Sequence, residues 1–311
     1  MGKIAFIFPG QGAQYPGMAE DFCAQRQESR LVLDLAEQVS GLDMKKLLFD
    51  REDQRLNETA YTQIALLTAE LAIAEAVKAC GVRPDMTAGL SLGEYAALVT
   101  AGVFSMADAL RIVRKRGIFM QEAVPTGGAM AAVLGLDGAV IADICEKTPG
   151  IVSIANDNCP GQIVITGEAA AVEAACEALK AAGAKRCIPL KVSGPFHGKL
   201  MEPAGEQLEQ ELLQAQVGEI QLPFVSNVTA DFVTDKDEIR GLLKRQISSS
   251  VRWRQSMERI IADGADLFLE LGPGKTLSGF LRKIDRNVKV LNVETIQDLE
   301  KLTEVREWNR K

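Results

Sequence analysis

Gly89-Leu90-Ser91-Leu92-Gly93-Glu94 sets a serine between two glycines, and the 311-residue chain has one histidine, His197, to serve it. A serine hydroxyl is a weak nucleophile near neutral pH until a base takes its proton. Imidazole, with an ordinary pKa of about 6.5, suits that task. In Gly-x-Ser-x-Gly a strand turns sharply into a helix and presents the serine, while the N–H of the next residue, here Leu92, points at an oxyanion developing on the substrate. The context fits, since Met86–Leu90 reads as a short strand and Glu94–Ala101 as an alanine-rich helix. The competing reading is a plain turn in which Ser91 caps the helix and Glu94 completes a capping box.

His197 follows Gly194-Pro195-Phe196 in a turn-rich loop. No Asp or Glu between Ser91 and His197 stands in a motif that would make it the third member of a triad, and a backbone carbonyl can orient the ring instead. A second charge is placed by periodicity. In the helix Ala109–Ala123, Ile112, Val113, Phe119, Met120 and Ala123 share one face, and Arg116 lies in the middle of it. A guanidinium aimed at a core is costly unless an anion meets it. Two readings stand: an internal ion pair or snorkelling side chain, or a fork for a substrate carboxylate. Phe8-Pro9-Gly10-Gln11-Gly12 follows the apolar strand Ile4–Phe8. Tyr15 stands where a dinucleotide fingerprint needs its third glycine, so nicotinamide binding is rejected. The flanking glycines hold Gln11 tightly and make its N–H a candidate second oxyanion donor. Gly272-Pro273-Gly274-Lys275 lacks a P-loop pattern and reads as a simple turn.

The elements that must position these groups alternate between strand-like and helix-like runs, which predicts an α/β fold. Thr62–Ala79 reads as an Ala- and Leu-rich helix and Leu267–Leu271 as a buried strand. The middle of the chain reads strand Met130–Leu134, helix Asp137–Lys147, strand Ile151–Ala155, strand Gln162–Thr166, helix Ala169–Ala182, strand Arg186–Leu190, which is the ferredoxin-like order. Inserted into a larger α/β domain, such a unit leaves a cleft beside it, with Ser91 encoded before the insert and His197 just after. Clefts of that kind are favoured ligand sites.

Composition narrows the function. Hydrophobic residues at 47% and charged residues at 25% suit a globular chain, and a net charge of −7 argues against nucleic-acid binding. Cys23, Cys80, Cys145, Cys159, Cys176 and Cys187 form no C-x-x-C pair, so no metal site is expected and free thiols in a reducing cytoplasm are. The first apolar run is too short for a signal-peptide core, and no uninterrupted apolar stretch approaches the roughly 20 residues of a membrane span.

Phe8-Pro9-Gly10-Gln11-Gly12, Gly89-Leu90-Ser91-Leu92-Gly93-Glu94-Tyr95, Arg116-Gly117 with Met120-Gln121, Pro160-Gly161-Gln162, Gly194-Pro195-Phe196-His197 and Gly272-Pro273-Gly274-Lys275 together make the chain resemble the malonyl-CoA:acyl carrier protein transacylases of fatty acid synthesis. The resemblance covers nearly the whole chain in the family's order. It implies an α/β-hydrolase-like core with an inserted ferredoxin-like subdomain: residues 1–127 and 192–311 as the discontinuous catalytic core, and 128–191 as the small subdomain. It implies transfer of a malonyl group from coenzyme A to the pantetheine thiol of acyl carrier protein, with Ser91 as nucleophile, His197 as base and Arg116 as carboxylate receptor. Gln11 and Leu92 take the oxyanion positions, the Gln246 carbonyl orients the histidine, and Gln63 falls on a pocket position. Phe196 is expected to cap the pocket against α-branched acyl groups. Coenzyme A enters as a thioester substrate and no cofactor is expected. A cytoplasmic monomer is expected, with no nucleic-acid or membrane partner. Service to a polyketide pathway, and a serine thioesterase or esterase on the same site, are the alternatives. The family often has histidine where Leu90 stands, which bears on pocket shape more than on the chemistry.

Overall fold

The computed structural model describes residues 2–192 and 194–308. Among them eight strands form two sheets: β1 (Lys3–Phe8), β2 (Met86–Gly89), β3 (Gly128–Leu134), β4 (Val152–Cys159), β5 (Gln162–Glu168), β6 (Arg186–Pro189), β7 (Ala265–Leu271) and β8 (Lys289–Val293). The first sheet is parallel in the order β2-β1-β7-β8. Its central strand β1 is buried along Ile4–Phe8, as the unbroken apolar run requires of a strand covered on both faces. The second sheet is antiparallel in the order β4-β5-β3-β6. Helices Gly138–Lys147 and Ala169–Ala181 connect its strands, giving the predicted β-α-β-β-α-β arrangement.

The predicted elements are present with shifted ends. β4 runs to Cys159, past the expected Ala155, because the tight Pro160-Gly161 connection lets Asn156–Cys159 pair with β5. Those polar residues concealed the strand in the sequence. The Ala- and Leu-rich helix begins at Thr59, ahead of the expected Thr62, and the arginine-bearing one at Met106, where the Ser105 hydroxyl accepts from Asp108 N–H. The β8 strand, half-buried at a sheet edge, has no counterpart among the expected elements, although Val290, Leu291 and Val293 are apolar.

Thr59–Ala79 is the one helix among the described residues long and apolar enough to cross a membrane, and 89% of its apolar window is buried inside the fold. Gln63 and Glu70 interrupt its apolar run, and both are buried. It packs against the Met106–Ala123 helix at Gly117, where an added Cβ would lie 2.8 Å from Thr59 O. That close approach brings Arg116 within reach of Gln63.

The small antiparallel sheet meets the rest of the fold along β4, against Val251 and the start of the helix Trp253–Ala262. Asp157 N–H donates to Val251 O and Val251 N–H to Ala155 O, at 3.0 and 2.8 Å. The Asp157 carboxylate accepts from Arg254 Nη2 at 2.9 Å and Gln255 Nε2 at 2.7 Å. The seam leaves open a cleft of about 260 Å³, lined by Gln11, Gln63, Leu90, Ser91 and His197 on one side and by Met130, Ala132, Asn156, Asn158 and Val164 on the other.

Candidate active site

Strand β2 ends at Gly89 and the helix Gly93–Thr100 begins four residues later, so the chain reverses over Leu90, Ser91 and Leu92. Ser91 holds φ at +54°, a left-handed conformation that a non-glycine residue adopts only when its surroundings enforce it. The enforcement comes from Asn227. Its Oδ1 accepts Ser91 N–H at 2.6 Å and its Nδ2 donates to Gly89 O at 2.7 Å. The glycines supply space: a Cβ on Gly89 would lie 1.9 Å from Gly93 carbonyl atoms, and one on Gly93 would lie 2.3 Å from Phe8 O. Gly93→Ala should therefore push the helix off the β1 loop, lowering stability by about 1–3 kcal/mol in denaturant titration, and spread the Gln11 and Leu92 N–H groups. A variant as stable as the parent would show that the approach is slack. Glu94 does not complete a capping box with Ser91. Its carboxylate is turned inward, accepting from Gln246 Nε2 at 2.6 Å and Asn227 N–H at 3.3 Å.

His197 also holds a left-handed φ, +61°, and its N–H donates to Ile247 O at 3.2 Å. Its ring is buried between two partners: Nε2 lies 2.7 Å from Ser91 Oγ and Nδ1 2.8 Å from Gln246 O. A carbonyl only accepts, so Nδ1 carries the proton and Nε2 is left to accept from the serine. Burial pushes the ring down to about 4, helped by the Arg116 charge and opposed by backbone bonds with Gln246 and Ser249. The ring is thus neutral through the ordinary pH range, as a base must be. With malonyl-pantetheine, which lacks the coenzyme's titrating phosphates, the acid limb of kcat/KM should fall near pH 4–5. A limb at the ordinary histidine value near 6.5 would contradict this environment.

Arg116 is 1% exposed, which disposes of snorkelling. Nη1 donates to Gln63 Oε1 at 2.7 Å, and Nη2 donates to Gln246 Oε1 at 3.0 Å and Ser91 Oγ at 3.2 Å. Every one of these partners is neutral, so no carboxylate is in direct contact with the guanidinium. Its guanidinium lies over the Tyr95 ring, 5.6 Å from the centroid, and its Nε is buried without a partner. Gln63 in turn donates from Nε2 to Gln11 Oε1 at 3.4 Å, and Gln11 Nε2 donates to Thr59 Oγ1 at 2.9 Å. A chain of amides therefore runs from the arginine to the loop bearing the Gln11 N–H. Among the described residues neither Gln11 N–H nor Leu92 N–H is bonded to another protein group. Phe196 is buried and lines the cleft, as does Leu90, whose side chain lies against Gly10.

A strained serine on a strand-to-helix turn, a neutral histidine against its hydroxyl and a buried guanidinium 3.2 Å from the same oxygen form a constellation for acyl transfer to serine. The family model for the acyl transferase domain matches residues 5–303. The chain belongs to the acyl transferase family. It is 45% identical to the malonyl CoA-acyl carrier protein transacylase of Bacillus subtilis, the match covering 96% of each chain. The crystal structure of a malonyl CoA-acyl carrier protein transacylase from Clostridium perfringens superposes with a TM-score of 0.96 at 43% identity, covering 99% of this chain and 98% of that one. A malonyl-transacylase solved in complex with its type II polyketide acyl carrier protein superposes at 0.94 and 41% identity, covering 97% and 99%. These matches bear out the resemblance read from the motifs.

In this acyl transferase the structure gathers Ser91, His197, Gln11, Gln63 and Phe196 along one cleft, with Arg116, Gln246 and Leu92 buried against Ser91. Three features escaped the sequence. Asn227 lies in no motif, although the apolar pair Phe224-Val225 ending in Ser226-Asn227 was a signal: Phe224 bridges Thr87 of β2 and delivers Asn227 to the turn. The Gln246 side chain, beyond its carbonyl, ties Arg116 to Ser91 O and Glu94. Asn156 and Asn158 line the cleft from the part of β4 that extends past the expected end at Ala155.

Proposed function

We propose that the protein transfers a malonyl group from coenzyme A to the pantetheine thiol of acyl carrier protein through a malonyl-Ser91 intermediate. Ser91 Oγ attacks the thioester carbonyl as His197 Nε2 takes its proton, with Gln246 O holding the imidazolium Nδ1–H. The tetrahedral oxyanion is met by the N–H groups of Gln11 and Leu92. Collapse expels the coenzyme A thiolate, which His197 protonates. In the second half the carrier's pantetheine thiol gives its proton to His197 and attacks the acyl-serine. Ser91 leaves and recovers a proton from the imidazolium. The coenzyme enters as a substrate and no further cofactor is assigned. We assign action as a monomer in the reducing cytoplasm, which six cysteines with no C-x-x-C spacing suit.

The observation that carries this reading is the placement of Arg116. A charged fork buried on neutral partners and aimed at the Ser91 oxygen suits an acyl group ending in a carboxylate, and a neutral ester gives it nothing to bind. We assign the malonyl units to fatty acid synthesis. The relative solved with a polyketide carrier is the reason to test both carriers. Incubation with malonyl-CoA should add one malonyl group, located on Ser91 by peptide mass spectrometry and discharged faster by carrier protein than by water. An unmodified Ser91 would overturn the assignment, and rapid discharge by water alone would make the protein a thioesterase.

A further inference from the structure

Arg116 touches no carboxylate, yet a buried one stands a single side chain away. Glu94 and Ser91 O both accept from Gln246 Nε2, at 2.6 and 2.9 Å, so the amide must turn its nitrogen toward them. That leaves Oε1 for Arg116 Nη2, at 3.0 Å. The transfer chemistry uses Arg116 and the Gln246 carbonyl but has no task for Glu94. We propose that Glu94 is a positioning residue and the internal counter-charge of Arg116: it fixes the Gln246 amide that aims the guanidinium, and its charge state sets how strongly Arg116 takes the acyl carboxylate. This rests on the malonyl reading above.

The electrostatics give the direction. Burial pushes Glu94 up to about 7, and bonds from Gln246, Asn227 and Ser226 together with the Arg116 charge keep it from rising further. The titratable groups around it are Arg116 on the facing helix, Tyr95 on its own helix and His197 across Ser91; Gln246, Asn227 and Ser226 are neutral. An acyl carboxylate arriving at Arg116 shares the guanidinium and raises Glu94, so binding takes up a proton. Below about pH 7 Glu94 is neutral and the arginine's charge is available to the ligand. Above it the ionised Glu94 competes, and KM for a malonyl substrate rises with pH.

The test measures KM and kcat from pH 6 to 8.5 with malonyl- and acetyl-pantetheine, in the parent and in Glu94→Gln, which keeps an acceptor for Gln246 and removes the charge. In the parent, malonyl KM should rise about fivefold or more while acetyl KM stays level. In Glu94→Gln the malonyl rise should vanish, with the change falling on KM more than on kcat. A malonyl rise shared by the variant overturns the proposal. Should the variant fold poorly, the parent decides: calorimetry at pH 7.5 in buffers of different ionisation enthalpy should show more proton uptake with the carba(dethia) analogue of malonyl-pantetheine than with its acetyl counterpart, and equal uptake overturns the proposal. A parent that forms no malonyl-Ser91 defeats this inference together with the function. One that forms it while failing these readouts defeats this inference alone.

Discussion

Alanine at position 197 is expected to slow malonyl-Ser91 formation by about 10³- to 10⁴-fold, the upper range for removing a general base. The expectation is firm because nothing nearby can substitute. The chain has no second histidine. Arg116, which also touches Ser91 Oγ, is a donor and cannot take the proton. Glu94 is separated from the hydroxyl by the Gln246 amide it binds. Because position 197 holds a left-handed backbone, part of any loss in His197→Ala could be structural. His197→Asn answers that, since asparagine tolerates this conformation. Both variants should melt close to the parent while acyl-serine formation, followed by intact mass, is all but lost. More than about a tenth of the parent rate in either variant would show that His197 is not the base, a bound far above what loss of a general base leaves.

Much of this site could be read from the chain because several of its constraints are local. Gly89 and Gly93 are required by backbones that nearly touch, and the requirement leaves a fixed spacing around Ser91. Arg116 betrayed itself through helical periodicity, since its neighbours at three- and four-residue steps are apolar. The parallel core was legible for a similar reason, because strands covered on both faces are written as unbroken apolar runs. What stayed hidden depends on distant partners. Asn227 meets the serine turn from 136 positions away, and the Gln246 side chain reaches Ser91 O from 155 away. The orientation of His197 by a carbonyl leaves no side-chain signature at all, and that link came only from resemblance. Asn156 and Asn158 lay beyond the expected strand end because the polar run Asn156-Asp157-Asn158 lacks the apolar alternation by which strands are recognised.

Arg116→Ala should lower kcat/KM for malonyl-CoA by about 10²- to 10³-fold, the scale of losing one partner of a buried, hydrogen-bonded charge pair. Acetyl-CoA, with no carboxylate to strand, should change by less than about tenfold, a shift of about 1.4 kcal/mol or less. The ratio is the informative quantity. Removing the side chain also opens a cavity and strips a donor from Gln63 and Gln246, so both substrates suffer whatever the loosened site costs in common. Only the carboxylate's loss separates them. Arg116→Lys sharpens the test. A lysine restores the charge but offers a point donor on a flexible stem where the guanidinium holds Gln63, Gln246 and Ser91 at once. It should recover part of the malonyl rate and leave the acetyl rate as in the alanine variant. If the malonyl-to-acetyl ratio survives both substitutions, the buried guanidinium supports the serine turn only, and selection of the acyl group lies elsewhere in the cleft.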